Sequence, residues 1–123
     1  MIVLDEQLED PLLSERIARW YKGAVVNLLE LRPGSRVFDP AVPTLLRTIK
    51  HPTFVTINYK DFWHKIPASP DYCAICFKLP SERTLEVSEL LRWVLSLPGL
   101  RTKRDRMGAV VSVVERKVVL YRD

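Results

Sequence analysis

The chain has 123 residues, 47% hydrophobic and 28% charged, enough for one domain with its own core and too evenly mixed for a disordered or fibrous protein. No apolar run approaches the roughly 20 residues of a membrane span. No basic and apolar leader with a small-residue cleavage site opens the chain, so a cytoplasmic protein without a membrane partner is expected.

Residues 2–4 read as a short apolar strand. Asp10-Pro11 then opens a helix, a capping acid followed by a first-turn proline, with Leu12, Leu13, Ile17 and Trp20 as its apolar face and Gly23 as its end. Ala24 to Leu28 is β-branched and apolar, a second strand, with a turn at Pro33-Gly34. Asp39-Pro40 repeats the helix-start signal ahead of Val42, Leu45, Leu46 and Ile49. Residues 53–57 make a third strand and residues 72–78 a fourth, separated by a loop at Pro67 and Pro70. Leu85 to Leu97 carries Leu90, Leu91, Val94 and Leu95 at helical spacing and stops at Pro98-Gly99. Residues 109–121 alternate and break at Glu115-Arg116-Lys117, which predicts a hairpin. This succession predicts a single three-layer α/β domain over residues 1–123, with a mostly parallel central sheet and a C-terminal β-hairpin.

The two cysteines, Cys73 and Cys76, form a C-x-x-C within the fourth strand. Residues three apart in a strand face opposite ways about 10 Å apart, beyond the roughly 7 Å that a disulfide bridges. No second ligand pair for zinc and no helix start for a redox pair accompanies them. They read as buried structural thiols.

Three acids follow apolar runs: Asp5 after Met1-Ile2-Val3-Leu4, Asp39 after Arg36-Val37-Phe38, and Asp61 after the run from Thr53 to Ile57. Carboxylates at the ends of parallel strands converge on one crevice, and a cluster of them calls for a divalent cation. Each also has an ordinary structural role open to it. Asp39 is placed to cap a helix and Asp61 to stabilise a turn, whereas Asp5 has the weakest such role. Net charge is +4, and Arg101, Lys103, Arg104 and Arg106 crowd one late segment. Such a segment is either a solvated loop or a basic rim that holds phosphates beside the acids.

The run Thr56-Ile57-Asn58-Tyr59-Lys60-Asp61-Phe62 resembles the T-x-N/D-x-x-D-F signature of PIN domains, the nuclease fold of VapC-type toxins. Val3-Leu4-Asp5-Glu6-Gln7-Leu8 resembles the L-L-D-E-N-L start of short bacterial and archaeal PIN-like proteins, and Met107-Gly108 with its valine-rich strands resembles their carboxyl-terminal end. The resemblance implies a PIN-like fold and a Mg²⁺- or Mn²⁺-dependent endoribonuclease. Asp5, Asp39 and Asp61 match the metal-binding acids, Asn58 a position that orients a metal-bound water, and Thr56 the small hydroxyl residue before it. The family's additional glutamate has no direct counterpart, with Glu6 and Glu30 as substitutes. RNA is the implied substrate, with an antitoxin protein and a second copy of the chain as further partners. Lys60 and Lys65 flank the motif and are placed to steer a polyanion, as is Arg104. His64 is a candidate phosphate contact or proton donor and Trp63 a base-stacking platform. Both also have a plain reading, Trp63 packed under the turn and His64 in solvent.

Two other readings stand beside the nuclease. One is a non-catalytic PIN-like module that binds RNA or a partner protein. The other is a phosphatase-like or receiver-like domain, set aside because no lysine-bearing strand end follows the acids.

Overall fold

The computed structural model describes residues 1–32 and 39–123, with the side chain of Asp39 outside the described set. The expected turn at Pro33-Gly34 and the strand-like run Arg36-Val37-Phe38 therefore lie outside the described residues.

Six strands form one sheet in the order β2-β1-β3-β4-β5-β6. They are β1 (Ile2–Leu4), β2 (Val25–Asn27), β3 (Thr53–Thr56), β4 (Cys73–Phe77), β5 (Ala109–Val114) and β6 (Lys117–Arg122). The first five run parallel and β6 returns antiparallel to β5. The hairpin turns through Glu115 and Arg116, with Val114 opposite Lys117 and Glu115 at φ 57°. The sequence carries no Gly there, so a side-chain-bearing residue takes the left-handed position that a tight turn demands.

Helices cover both faces. On one, α1 (Pro11–Ala18) and α5 (Glu86–Val94) bury Leu13, Ile17, Val87, Leu91 and Val94 against Ile2, Leu4, Val55, Cys73 and Ile75. Trp20 Nε1 donates to Ser88 Oγ at 3.0 Å and ties the two helices together. On the other face, α2 (Leu28–Leu31), α3 (Val42–Arg47) and α4 (Tyr59–Phe62) bury Leu28, Val42, Leu46 and Phe62 against Val3, Phe54, Ala74 and Cys76. The three-layer α/β expectation thus holds, and the two cysteines fall in different layers as their spacing requires. Both are free and buried, and burial pushes each thiol up to about 12.

Several local expectations need correction. α1 ends at Ala18 rather than running to Gly23, and Leu12 is 42% exposed because it sits one residue round from the buried Leu13. In α5 the buried face is Val87, Leu91 and Val94, with Leu90 and Leu95 at its margin. Asp39–Ala41 is a 3₁₀ turn leading into α3, whose N-cap, Ala41, makes no side-chain bond. The turn after β3 is the single helical turn α4, and the segment expected to be a charged loop contains α6 (Lys103–Arg106). No helix among the described residues is long and apolar enough to cross a membrane.

Candidate functional site

Strand order reverses at β1. Its successor β2 lies on one side of it and β3 on the other, and the chain leaves β1 and β3 toward opposite faces of the sheet. Departures of that kind open a crevice outside the carboxyl ends of the two strands, the place where α/β sheets bind ligands.

Asp5 occupies this position. It ends β1, is 5% exposed, and caps the 3₁₀ turn Glu6–Leu8. Its Oδ1 accepts from the Glu6 amide at 2.8 Å and its Oδ2 from the Thr56 hydroxyl at 2.6 Å. A charge-assisted bond that short fixes the carboxylate plane. Thr56 is fully buried at the end of β3, and its Oγ1 accepts in turn from the Asn58 amide at 2.9 Å. Asn27 Nδ2 donates to the Asp5 carbonyl at 3.0 Å and locks the end of β2 to that of β1. Glu6, half-buried, and Asn58, at the N-cap of α4, flank the pair. Asp5, Glu6, Thr56 and Asn58 are thus brought to one end of the sheet.

Asp61 is placed otherwise. It is exposed on α4 and lines a groove of about 460 Å³ with Pro40, Thr44, Arg47, Lys65 and Ile66, and Asp5 does not reach that groove. The expected steering residue Lys65 lines it too, as does Arg47. Because Pro40 lines it, this groove runs beside the turn that carries Asp39. Among the described residues no three His, Cys, Asp or Glu side chains converge as a metal cage.

Lys60 lies in a third place, a cleft of about 680 Å³ across the carboxyl ends of β3, β4 and β5. Asn58, Tyr59, Lys78, Arg83 and Glu115 line it as well. Tyr59 Oη and Ser112 Oγ are 2.9 Å apart across the strands, the Lys78 ammonium lies 5.8 Å from the Tyr59 ring, and Arg83 is paired with Glu86. Lys78 is a residue that sequence reasoning missed. It follows β4 directly, so a lysine-bearing strand end is present after all. The signal was there in Phe77-Lys78, an apolar strand that ends on a cation.

Two expected substrate contacts lie elsewhere. His64 is exposed with its ring stacked on Tyr121 of β6, centroids 5.7 Å apart and planes 10° apart, and tilted against Trp63 at 4.3 Å. Trp63 packs between Tyr59 and Tyr121, its plain reading. β6 stands four strands from β1, roughly 19 Å at ordinary strand spacing, so His64 belongs to the outer edge of the sheet and not to the crevice. Arg104 and its neighbours are at the opposite end, because α6 immediately precedes β5 and parallel strands share their amino ends. Arg106 is 5% exposed and donates to Thr53 Oγ1, at the start of β3, at 2.9 Å. The basic segment therefore does not rim the acids.

The chain matches no protein-family model, no curated protein and no solved structure.

Proposed function

We propose that this chain is a PIN-like domain that acts on RNA as a metal-dependent endoribonuclease, with the β1–β3 crevice as its centre. The observation that carries the reading is the burial of Asp5 at the reversal of strand order, with Thr56 donating to it from the neighbouring strand. Burying a carboxylate is costly, and a carboxylate at this place in an α/β sheet is where ligand chemistry is found.

The side chains around the crevice carry oxygens, the carboxylates of Asp5 and Glu6 and the amide oxygen of Asn58, with Asp39 as the further acid that the sequence resemblance supplies. That chemistry suits a hard divalent ion, Mg²⁺ or Mn²⁺. Once bound, such an ion lowers the pKa of a coordinated water and neutralises charge on a phosphate. The chain's own residues orient and steer. Thr56 holds the Asp5 carboxylate in one plane, Asn27 holds the strand end, and Lys60 and Lys78 offer cations to a phosphodiester in the adjoining cleft. A toxin role with an antitoxin partner rests on the sequence resemblance alone.

Two observations favour a second reading, a PIN-like module that binds RNA or a partner without cutting. Both Asp5 oxygens already accept hydrogen bonds, and Asp61 opens on a separate groove. The two readings separate in one experiment, Mn²⁺-dependent cleavage of a mixed-sequence RNA followed beside melting temperature with and without Mn²⁺. The nuclease reading expects Mn²⁺ to raise the melting temperature of the wild type, and Asp5→Asn to lose both that shift and cleavage. Wild-type protein that binds RNA with neither cleavage nor a Mn²⁺ shift establishes the binding module instead.

A further inference from the structure

We infer that the amino-terminal margin of the sheet, opposite the crevice, is a docking face for the phosphodiester backbone of a nucleic acid, held without regard to sequence. The inference rests on where the charge lies and is independent of any reading of Asp5.

Lys22 precedes β2 and Lys50 precedes β3. Arg101, Lys103, Arg104 and Arg106 precede β5, and Arg122 ends the antiparallel β6 at the same margin. Asp71, Asp105 and Asp123 are the acids among them. Seven cations against three carboxylates leave an excess of four, as large as the formal net charge of the whole chain. All seven except Arg106 are exposed. Among the described residues none of the seven forms an ion pair.

The arginines point their donors at main-chain carbonyls instead. Arg101 Nε reaches Ser96 O at 2.9 Å, and Arg122 reaches Asp105 O at 3.1 Å and Gly99 O at 3.2 Å. Buried Arg106 reaches Leu100 O and Arg101 O at 3.3 Å each. These bonds hold the guanidinium groups in place but cancel none of their charge. The amino-terminal ammonium is pushed down by burial and then by Lys103 and Arg106, so this charge is felt across to β1.

Two features choose nucleic acid over an acidic protein. The cations are spread from β2 to β6, roughly 24 Å at ordinary strand spacing, which matches about seven base pairs of evenly repeated phosphate. Among the described residues the exposed large hydrophobic side chains, Leu12, Val119 and Leu120, lie on α1 and along β6, off this margin. A protein partner needs an apolar centre to its contact, and a phosphate backbone does not.

The test is binding of a labelled mixed-sequence duplex of about 12 base pairs, and of a single-stranded RNA of the same length, over a range of salt. The proteins are the wild type, Lys103→Glu/Arg104→Glu, Lys22→Ala/Lys50→Ala, and an equal charge reversal elsewhere, Arg16→Glu/Arg92→Glu. The wild type should bind the duplex with a steep inverse dependence on salt. Reversal at Lys103 and Arg104 should weaken binding at least tenfold at low salt and lower the slope by about two. The milder Lys22 and Lys50 pair should weaken it several-fold, which keeps the test open if the reversal unfolds the chain, as its melting temperature would reveal. Arg16→Glu/Arg92→Glu should bind nearly as the wild type does. Equal loss in the Arg16 and Arg92 variant, or no salt-dependent binding by the wild type, overturns the proposal. Competition by a poly-glutamate peptide as effective as that by unlabelled duplex would replace nucleic acid with an acidic protein.

Discussion

The two ends of this one sheet solve the same problem in opposite ways. At the carboxyl end the acid is buried and closed in on itself, Asp5 receiving the Thr56 hydroxyl and the Glu6 amide, with Thr56 receiving the Asn58 amide. At the amino end the buried ion is a cation, Arg106, and its partners are neutral: one hydroxyl and two carbonyls. Hydrogen bonds satisfy both groups, and at the amino end exposed cations add a surplus of like charge around the buried one. Satisfaction of donors and balance of charge are separate properties.

The sharpest way to break the comparison is to remove the cation. Arg106→Ala should cost about 3 kcal/mol in urea unfolding, since it strands two carbonyls and the Thr53 hydroxyl in a buried place. Arg106→Lys should recover little, because a point charge cannot reproduce the guanidinium fork. A loss under 1 kcal/mol for the alanine variant would mean that the margin orders itself without this residue. At the other end Thr56→Val should cost about 2 kcal/mol, because it removes the buried hydroxyl that donates to Asp5 Oδ2 and accepts from the Asn58 amide. Asp5→Asn keeps an acceptor for Glu6 and should cost less than Thr56→Val. The opposite ranking would show that the acid, and not the network around it, holds the crevice together.

These contrasts were unequally legible in the sequence. The strands were readable because buried parallel strands are plain apolar runs, and the two cysteines could be assigned to opposite layers by alternation alone. Asp5 was readable for the same reason, being the polar end of such a run, whereas Thr56 lay inside the expected strand and was singled out only by the motif resemblance. Asp61 was not, because its direction depends on the single turn of α4, where each residue rotates about 100° and a plain turn and a helical turn send the same side chain to different grooves. Nothing in the run from Arg101 to Arg106 distinguishes the one buried arginine from its exposed neighbours. That distinction is made by Thr53, far away in sequence, whose hydroxyl waits at the start of β3.

A smaller effect tests the layers between the two ends. The buried thiols, Cys73 toward the amino end and Cys76 toward the carboxyl end, are both raised to about 12 from an ordinary value of 9.0. An acid raised by folding stays protonated in the native chain while the unfolded chain has begun to lose its proton. Its contribution is therefore complete below pH 9 and is lost as pH climbs toward 12. Stability should fall by about 1 kcal/mol per thiol between pH 9 and pH 10, and Cys73→Ala/Cys76→Ala should flatten that decline whatever it costs at neutral pH. Iodoacetamide should leave both thiols unmodified until the chain unfolds. Fast labelling of Cys76 alone would reveal an opening at the carboxyl end that the buried hydrogen bonds there argue against.

The smallest effect concerns the hairpin that joins the two ends. Glu115 sits at φ 57° at the carboxyl end of β5, a conformation that costs a side-chain-bearing residue about 1 kcal/mol and that Asn and Gly adopt readily. Its carboxylate lines the cleft with Lys60, Lys78 and Arg83. If Glu115 is only a turn residue, Glu115→Asn should raise stability by about 0.5 kcal/mol and leave RNA binding as it was. If the cleft holds a phosphodiester, the same substitution removes a negative charge beside it, and RNA affinity at low salt should rise as well. Duplex binding at the opposite margin should not change in either case. Melting temperature and RNA affinity measured on this one variant therefore report on backbone strain and on the use of the cleft separately. A gain in stability without a gain in affinity would leave Lys60 on α4 and Lys78 after β4 as solvated cations.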